Sequence, residues 1–262
     1  MTRNEVLGKI VGGGLVPIFV DGRFDEEACA KEALRAGLEA VEVSCRHPRA
    51  MEVIARLKKS HPRLAVGAAS LIEDGRYRDW LWSAGKRVPS IAEAAEAGAD
   101  FLVSLLPFRQ ETLQRFAASH VIISGVTTPG EAHQALDWGA NLVKFSGLAA
   151  LGGPAWLAGM DGATHKGFPF FVTGGMRPES IGPYVEAQVL VFGAGFEVIL
   201  GEENCQALAR KFTPAPLRKA LARYTAALAE ARSKYQPGVP FASKDPAAIA
   251  AASGRCLNCG QP

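Results

Sequence analysis

The chain has 262 residues, 48% of them hydrophobic and 21% charged, with 28 glycines spread along it; this excludes a disordered or low-complexity chain and leaves a globular one with a large core. Its 29 basic and 26 acidic residues give a formal net charge of +3 without long runs of one sign, which excludes a nucleic-acid footprint. Five cysteines at irregular positions (29, 45, 205, 256 and 259) exclude a disulfide framework and suit a reducing, cytoplasmic compartment.

The first apolar run, Ile10 to Val20, is too short to span a bilayer, and Asp21-Gly-Arg-Phe-Asp follows it with no small-x-small cleavage pattern. It is predicted to form a first strand, Leu15–Val20. Seven more short runs rich in Val, Ile, Leu and Phe follow: Ala40–Ser44, Leu64–Ala68, Phe101–Ser104, Val121–Ser124, Leu142–Phe145, Phe168–Val172 and Val189–Phe192. Runs of this length without polar alternation fit parallel strands covered on both faces. Between them, apolar residues fall three or four apart over Asp25–Ala36, Pro48–Lys58, Ser90–Ala97, Arg109–Ala118 and Pro129–Trp138, which predicts helices. Gly37, Gly98 and Gly139 stand where a helix closes just before the next strand.

This alternation, in a length near the ~250 residues that eight strand–helix units need, predicts a single α/β domain, a (β/α)8 TIM barrel over residues 1–200. The segment from Glu73 to Pro89 after the third strand is longer than a usual strand–helix connection and rich in Arg and aromatics. A lid, an oligomer contact and a plain surface insertion all fit it. Residues 201–235 read as a helical extension packed on the barrel, ending in an amphipathic helix over Pro214–Tyr235. Residues 236–262 read as a loosely ordered tail, in which Cys256 and Cys259 form a CxxC pair. One such pair supplies only two of the four ligands of a structural zinc, so an incidental tail and a metal shared between subunits are both open readings.

Parallel barrels carry their active sites at the C-terminal ends of the strands, and few polar residues stand there. Lys144 lies between Val143 and Phe145 on the sixth run, and Glu42 between Val41 and Val43 on the second. Desolvation disfavours an ammonium ion, and a neutral amine can attack a carbonyl; the structural alternative is a buried stem whose head reaches solvent. A carboxylate in such a strand is equally costly and serves either proton transfer or an ion pair with Lys144 or Arg46. Arg46, at the strand end, offers a fork for the carboxylate of a small acid, with a surface ion pair as the alternative. Ser70 and Thr127 offer hydroxyls to the same mouth. Thr173-Gly174-Gly175 after the seventh strand and Gly193-Ala-Gly195 after the eighth suit close backbone approach to an anion, or tight turns.

Taken together, Leu15-Val-Pro-Ile, Val41-Glu-Val-Ser-Cys-Arg46, Val66-Gly-Ala-Ala-Ser70, Ala97-Gly-Ala-Asp-Phe-Leu-Val-Ser104, Ser124-Gly-Val-Thr-Thr-Pro-Gly-Glu131, Leu142-Val-Lys-Phe145, Gly152-Gly-Pro154 and Val172-Thr-Gly-Gly175 resemble the 2-keto-3-deoxy-6-phosphogluconate and 4-hydroxy-2-oxoglutarate aldolases, in that family's order over about residues 10–200. The resemblance implies a class I aldolase in which Lys144 forms a Schiff base with a 2-oxo acid, Glu42 transfers protons, Arg46 and Ser70 hold pyruvate, and Thr173 lies beside them. It also implies a cytoplasmic homotrimer that needs no metal or other cofactor, acts on a small-molecule 2-oxo acid, and has no nucleic-acid or membrane partner.

Three positions depart from the family pattern. Phe145-Ser146-Gly147 follows the lysine where the family shows Phe-Phe-Pro or Leu-Phe-Pro, which implies altered packing beside the amine. Gly195 stands where a serine is common, and Val20 where an arginine is, with Arg23 nearby; both positions would touch a substrate phosphate. The expected reaction is cleavage of a 2-keto-3-deoxy sugar acid or 4-hydroxy-2-oxo acid to pyruvate and an aldehyde. The alternatives are a phosphate-binding barrel isomerase or synthase, and a catalytically silent relative that binds a 2-oxo acid or a protein.

Overall fold

The computed structural model describes residues 1–162 and 168–237, so Cys256 and Cys259 lie outside the described residues. Eight strands close into a barrel, each parallel to its neighbours in chain order, with β8 returning to β1. They are β1 (Leu15–Phe19), β2 (Ala40–Ser44), β3 (Ala65–Leu71), β4 (Phe101–Ser104), β5 (Val121–Gly125), β6 (Leu142–Ser146), β7 (Phe170–Thr173) and β8 (Val189–Gly195). Each predicted apolar run overlaps one of them. The main differences are at the C-terminal ends of β3 and β8, which run on to Leu71 and Gly195.

Alternation along the strands sorts side chains into two apolar shells. Val41 and Val43 face the helices, whereas Ala40, Phe101, Leu142 and Phe171 belong to a separate buried cluster inside the barrel. The interior pairs large side chains with glycines. A Cβ on Gly67 would collide with the Phe101 ring, and one on Gly193 would press on Phe171 and Ile18.

Around the barrel stand α2 (Glu26–Arg35), α3 (Ala50–Ser60), α5 (Ile91–Glu96), α6 (Gln110–Phe116), α7 (Pro129–Asp137), α8 (Pro154–Gly162) and α9 (Pro178–Glu186). Inside the insertion after β3 lies a further helix, α4 (Arg76–Ser83), which the spacing did not predict. Only its Leu81 is buried; Tyr77, Trp80 and Trp82 are exposed, and the Arg78 guanidinium lies 4.8 Å from the Trp82 ring.

The N-terminal reading needs correction. Ile10 to Gly13 do not belong to the first strand but end a helix, α1 (Arg3–Gly13). Thr2 and Glu5 form its capping box, and Gly14 in the left-handed region (φ 67°) stops it, with its N–H donating to the Ile10 carbonyl. Val6, Leu7, Ile10 and Val11 of α1 join the inner cluster, so the helix plugs the end of the barrel opposite the strand C-termini.

After β8 come α10 (Phe196–Leu200), α11 (Glu202–Arg210) and the long α12 (Pro214–Tyr235). α12 packs against α9 and α2, filling the gap in the outer ring between the seventh and first units. Polar contacts near both ends help to fix it. Arg218 donates to the buried Glu32 carboxylate of α2, Nε to Oε2 at 2.9 Å. At the other end the buried Arg232 donates to three carbonyl oxygens, those of Val11 (2.8 Å), Gly12 (3.0 Å) and Leu190 (2.8 Å). Gly14 is required here twice over, because a Cβ would strike the Arg232 guanidinium and Leu228.

Arg232→Met should lower the unfolding free energy by roughly 2–4 kcal/mol in urea titrations, since three buried carbonyls lose their donor. The hydrogen bond from Arg218, with help from Arg35, holds the Glu32 carboxyl below its ordinary range. A depressed carboxyl stabilises the fold above its unfolded pKa and loses that effect as pH falls through the folded value. Wild type should therefore exceed Arg218→Gln in Tm at neutral pH, and the difference should shrink as the pH falls below about 4.

Candidate active site

Glu42 on β2 and Lys144 on β6 belong to opposite walls of the barrel and both face inward, by the alternation that places Ala40 and Leu142 inside. Glu42 is 0% and Lys144 3% exposed, and the Lys144 Nζ donates to Oε2 at 3.1 Å and Oε1 at 3.3 Å. Their strand neighbours explain why two long polar side chains fit. Glu42 sits in register between Ile18 and Gly67, and Lys144 between Gly125 and Phe171. The Nζ lies 4.8 Å from the centroid of the Phe171 ring, whose quadrupole favours a cation. Of the two readings of this lysine, the head that reaches solvent is therefore wrong, and its carboxylate partner is Glu42 itself.

Arg46 does not bond Glu42. It is exposed beyond the end of β2, where its backbone N–H (3.2 Å) and Nε (3.1 Å) both donate to the Ser44 hydroxyl. Ser44 is in turn 3.1 Å from the Ser70 hydroxyl, so Arg46, Ser44 and Ser70 form one polar arc above Glu42. Ser70 is held in the left-handed region (φ 60°), where the β3–β4 register shifts between Ala68 and Leu71. Such a conformation costs a non-glycine residue about 1–2 kcal/mol, and here it keeps the hydroxyl beside Ser44.

The remaining predicted positions spread around the mouth. Thr173 ends β7, half-buried, in register with Ser146 and Gly193. Gly174 and Gly175 follow with φ of 104° and 67°, and a Cβ on Gly174 would crowd the Gly147 backbone of the neighbouring loop. Gly193 leaves room for Phe171 and Ile18 inside the barrel. Gly195 closes β8 below the Glu197 carboxylate. Thr127 is exposed after β5; what holds it is its backbone N–H, bonded to Glu131 at 2.6 Å.

Sequence reasoning missed Ser44, the hydroxyl that joins Arg46 to Ser70, and Phe171, the ring beside the amine. Both carried a signal. Ser44 is two residues beyond Glu42 on the same strand, and Phe171 has the same inward parity on β7 as Lys144 has on β6. By the same parity the Phe145 ring points outward, onto Phe170 (5.6 Å) and Trp156 (5.5 Å).

A buried lysine paired with a carboxylate thus stands in the middle of a closed parallel barrel, below a guanidinium and two hydroxyls. The family model described as KDPG and KHG aldolase matches residues 9–208. The chain belongs to the KDPG and KHG aldolase family. The KHG/KDPG aldolase of Escherichia coli strain K12 is 28% identical over 190 residues, covering 71% of this chain and 81% of that protein. The 2-dehydro-3-deoxy-phosphogluconate aldolase of Zymomonas mobilis is 27% identical over 183 residues, covering 69% and 79%. Among solved structures, the KDPG aldolase of Legionella pneumophila, with pyruvate captured at low pH as a covalent carbinolamine intermediate, superposes with a TM-score of 0.63 at 22% identity, covering 82% of this chain and 96% of that one.

This aldolase is accordingly a carbon–carbon lyase, which favours that reading over the isomerase or synthase. Its match ends inside α11, so α12 lies beyond the matched residues. Within the described residues no helix is long and apolar enough to cross a membrane.

Breaking the buried pair from one side leaves an uncompensated charge. Lys144→Met should lower the aldolase's stability by about 3–5 kcal/mol, whereas the double variant Lys144→Met/Glu42→Leu should recover most of that loss in denaturant titrations.

Proposed function

We propose that this aldolase cleaves a 4-hydroxy-2-oxo acid, such as a 2-keto-3-deoxy sugar acid, to pyruvate and an aldehyde through an imine on Lys144. The observation that carries the reading is the 3.1 Å hydrogen bond between Nζ and the Glu42 carboxylate inside the barrel. One proton passing along that bond leaves a neutral amine and a protonated acid, poised for attack on a ketone.

The substrate carboxylate rests on the terminal nitrogens of Arg46, which have no partner among the described residues, with Ser70 and Thr173 beside it. The amine adds to C2 to give a carbinolamine, and loss of water, with the proton supplied by Glu42, gives an iminium. Glu42, again ionised, takes the proton of the C4 hydroxyl. The C3–C4 bond then breaks, its electron pair passes into the iminium, and the aldehyde leaves an enamine behind. C3 takes a proton from Glu42, and water releases pyruvate and restores the amine. The iminium is the electron sink, so this sequence needs no metal. The carbinolamine captured in the Legionella pneumophila relative is the first intermediate of such a course and supports the reading. The apolar surroundings of Nζ, with Phe171 against it, keep bulk water from the imine.

We further assign a cytoplasmic homotrimer acting in carbohydrate metabolism. The apolar side chains exposed past the ends of β4 and β6, Leu105, Leu106 and Leu151, fit burial against another subunit. Mass photometry at micromolar concentration should give three times the 27.8 kDa chain.

Incubation with pyruvate and borohydride should add a reduced pyruvyl group to Lys144, located by peptide mass spectrometry; an unmodified Lys144 would sink the imine. Glu42→Gln should still be trapped by pyruvate yet lose about 10²- to 10⁴-fold in kcat, as expected for a lost proton-transfer group, and an unchanged kcat would remove Glu42 from the reaction.

A further inference from the structure

The strand-7 and strand-8 loops are where barrels commonly hold a phosphate on backbone N–H groups. In this chain that place is taken. Along β8 the inward positions alternate: a Cβ on Gly193 would meet Ile18 and Phe171 inside the barrel, so the Cβ of Gly195, two residues on, would also point inward over the mouth. The space it would fill is held by the Glu197 carboxylate, with both oxygens inside contact distance of the missing carbon. Glu197 belongs to the first turn of α10 and stays half-buried. Among the described residues its carboxylate makes no hydrogen bond or ion pair.

The surroundings do not offset this charge in favour of an anion. A cavity of about 570 Å³ opens there between Arg23, Gly175, Arg177, Glu197 and Glu202. Arg23 is already engaged by Asp21, with Nε donating at 2.8 and 2.9 Å and Nη2 at 2.6 Å. Three carboxylates, Asp21, Glu197 and Glu202, thus stand against two guanidiniums, Arg23 and Arg177. A phosphate dianion brought to the strand-8 turn meets a carboxylate where it needs donors. A hydroxyl brought there meets an open acceptor.

We propose that Glu197 is a specificity-determining residue that selects an uncharged, hydroxylated distal end, so that this aldolase takes unphosphorylated 2-keto-3-deoxy acids and discriminates against phosphorylated ones. The inference rests on the imine reading above and names the substrate class of that same site. It also separates this chain from the Zymomonas mobilis relative, whose name carries a phosphogluconate. Gly195 and Glu197 act together. A serine at 195 cannot coexist with the present Glu197 rotamer, which is a steric reason for the glycine.

The test compares kcat/KM for a 2-keto-3-deoxy sugar acid and its 6-phosphate, each coupled to pyruvate detection, in wild type, Glu197→Gln and Gly195→Ser/Glu197→Leu. Wild type should prefer the unphosphorylated acid. Removing the charge in Glu197→Gln should shift the ratio toward the phosphate ester by about tenfold or more, and the double variant further. The wild-type ratio needs no variant to fold: cleavage of the phosphate ester as efficient as that of the free acid overturns the proposal, and so does a ratio unmoved in Glu197→Gln. Pyruvate trapping on wild type runs alongside. An adduct at Lys144 with the wrong selectivity overturns the role of Glu197 alone, whereas no adduct removes the imine reading and this inference with it.

Discussion

The chemistry we propose for this protein depends on keeping one lysine–carboxylate pair in a place without water. Lys144 and Glu42 come from opposite walls of a closed sheet, 102 residues apart in sequence, and meet at 3.1 Å. Neither charge is tolerable there alone, because desolvation of a single ion costs several kcal/mol that only a near partner offsets. Barrel closure and chemistry are therefore one constraint. If the strands failed to close, water would solvate both groups separately and the amine would be an ordinary surface lysine.

The scaffold meets this constraint by filling the barrel from below and opening it only above. Phe101 and Phe171 occupy the volume that Gly67 and Gly193 leave, and α1 seals the far end with Val6, Leu7, Ile10 and Val11. The open end carries the polar arc of Arg46, Ser44 and Ser70 on one side and the glycine turns of β7 and β8 on the other. In the mechanism we propose, a 2-oxo acid entering from that end meets groups for its carboxylate first and the amine deeper in. Its far end is left facing the β8 turn, where Glu197 stands.

Much of this was legible before any coordinates. Eight short apolar runs without polar alternation fit covered strands, and their spacing left room for helices, so the barrel followed from periodicity and length. Lys144 and Glu42 stood out because charged residues inside such runs are costly. What the sequence hid has physical reasons. The helical character of Arg3–Gly13 was masked because its apolar residues run straight into those of β1, although the Thr2-x-x-Glu5 cap and Gly14 marked both ends. The insertion helix α4 escaped because its aromatics face outward instead of forming a buried stripe. That Lys144 pairs with Glu42 while Arg46 turns to Ser44 depends on strand register around the barrel, which no local pattern encodes. The Glu197 carboxylate over Gly195 was invisible for a similar reason: it is a side-chain choice two residues past a glycine.

Arg232 ties the end of the described chain to its beginning. Its guanidinium closes the carbonyl end of α1 and a carbonyl of β8 at sequence separations of 42 to 221 residues. During synthesis, a nascent chain that has emerged only through β8 already possesses every strand and both members of the buried pair, yet its bottom seal lacks a donor and its helical ring has a vacancy beside α2. Final locking of the barrel thus waits for the ribosome to deliver α12.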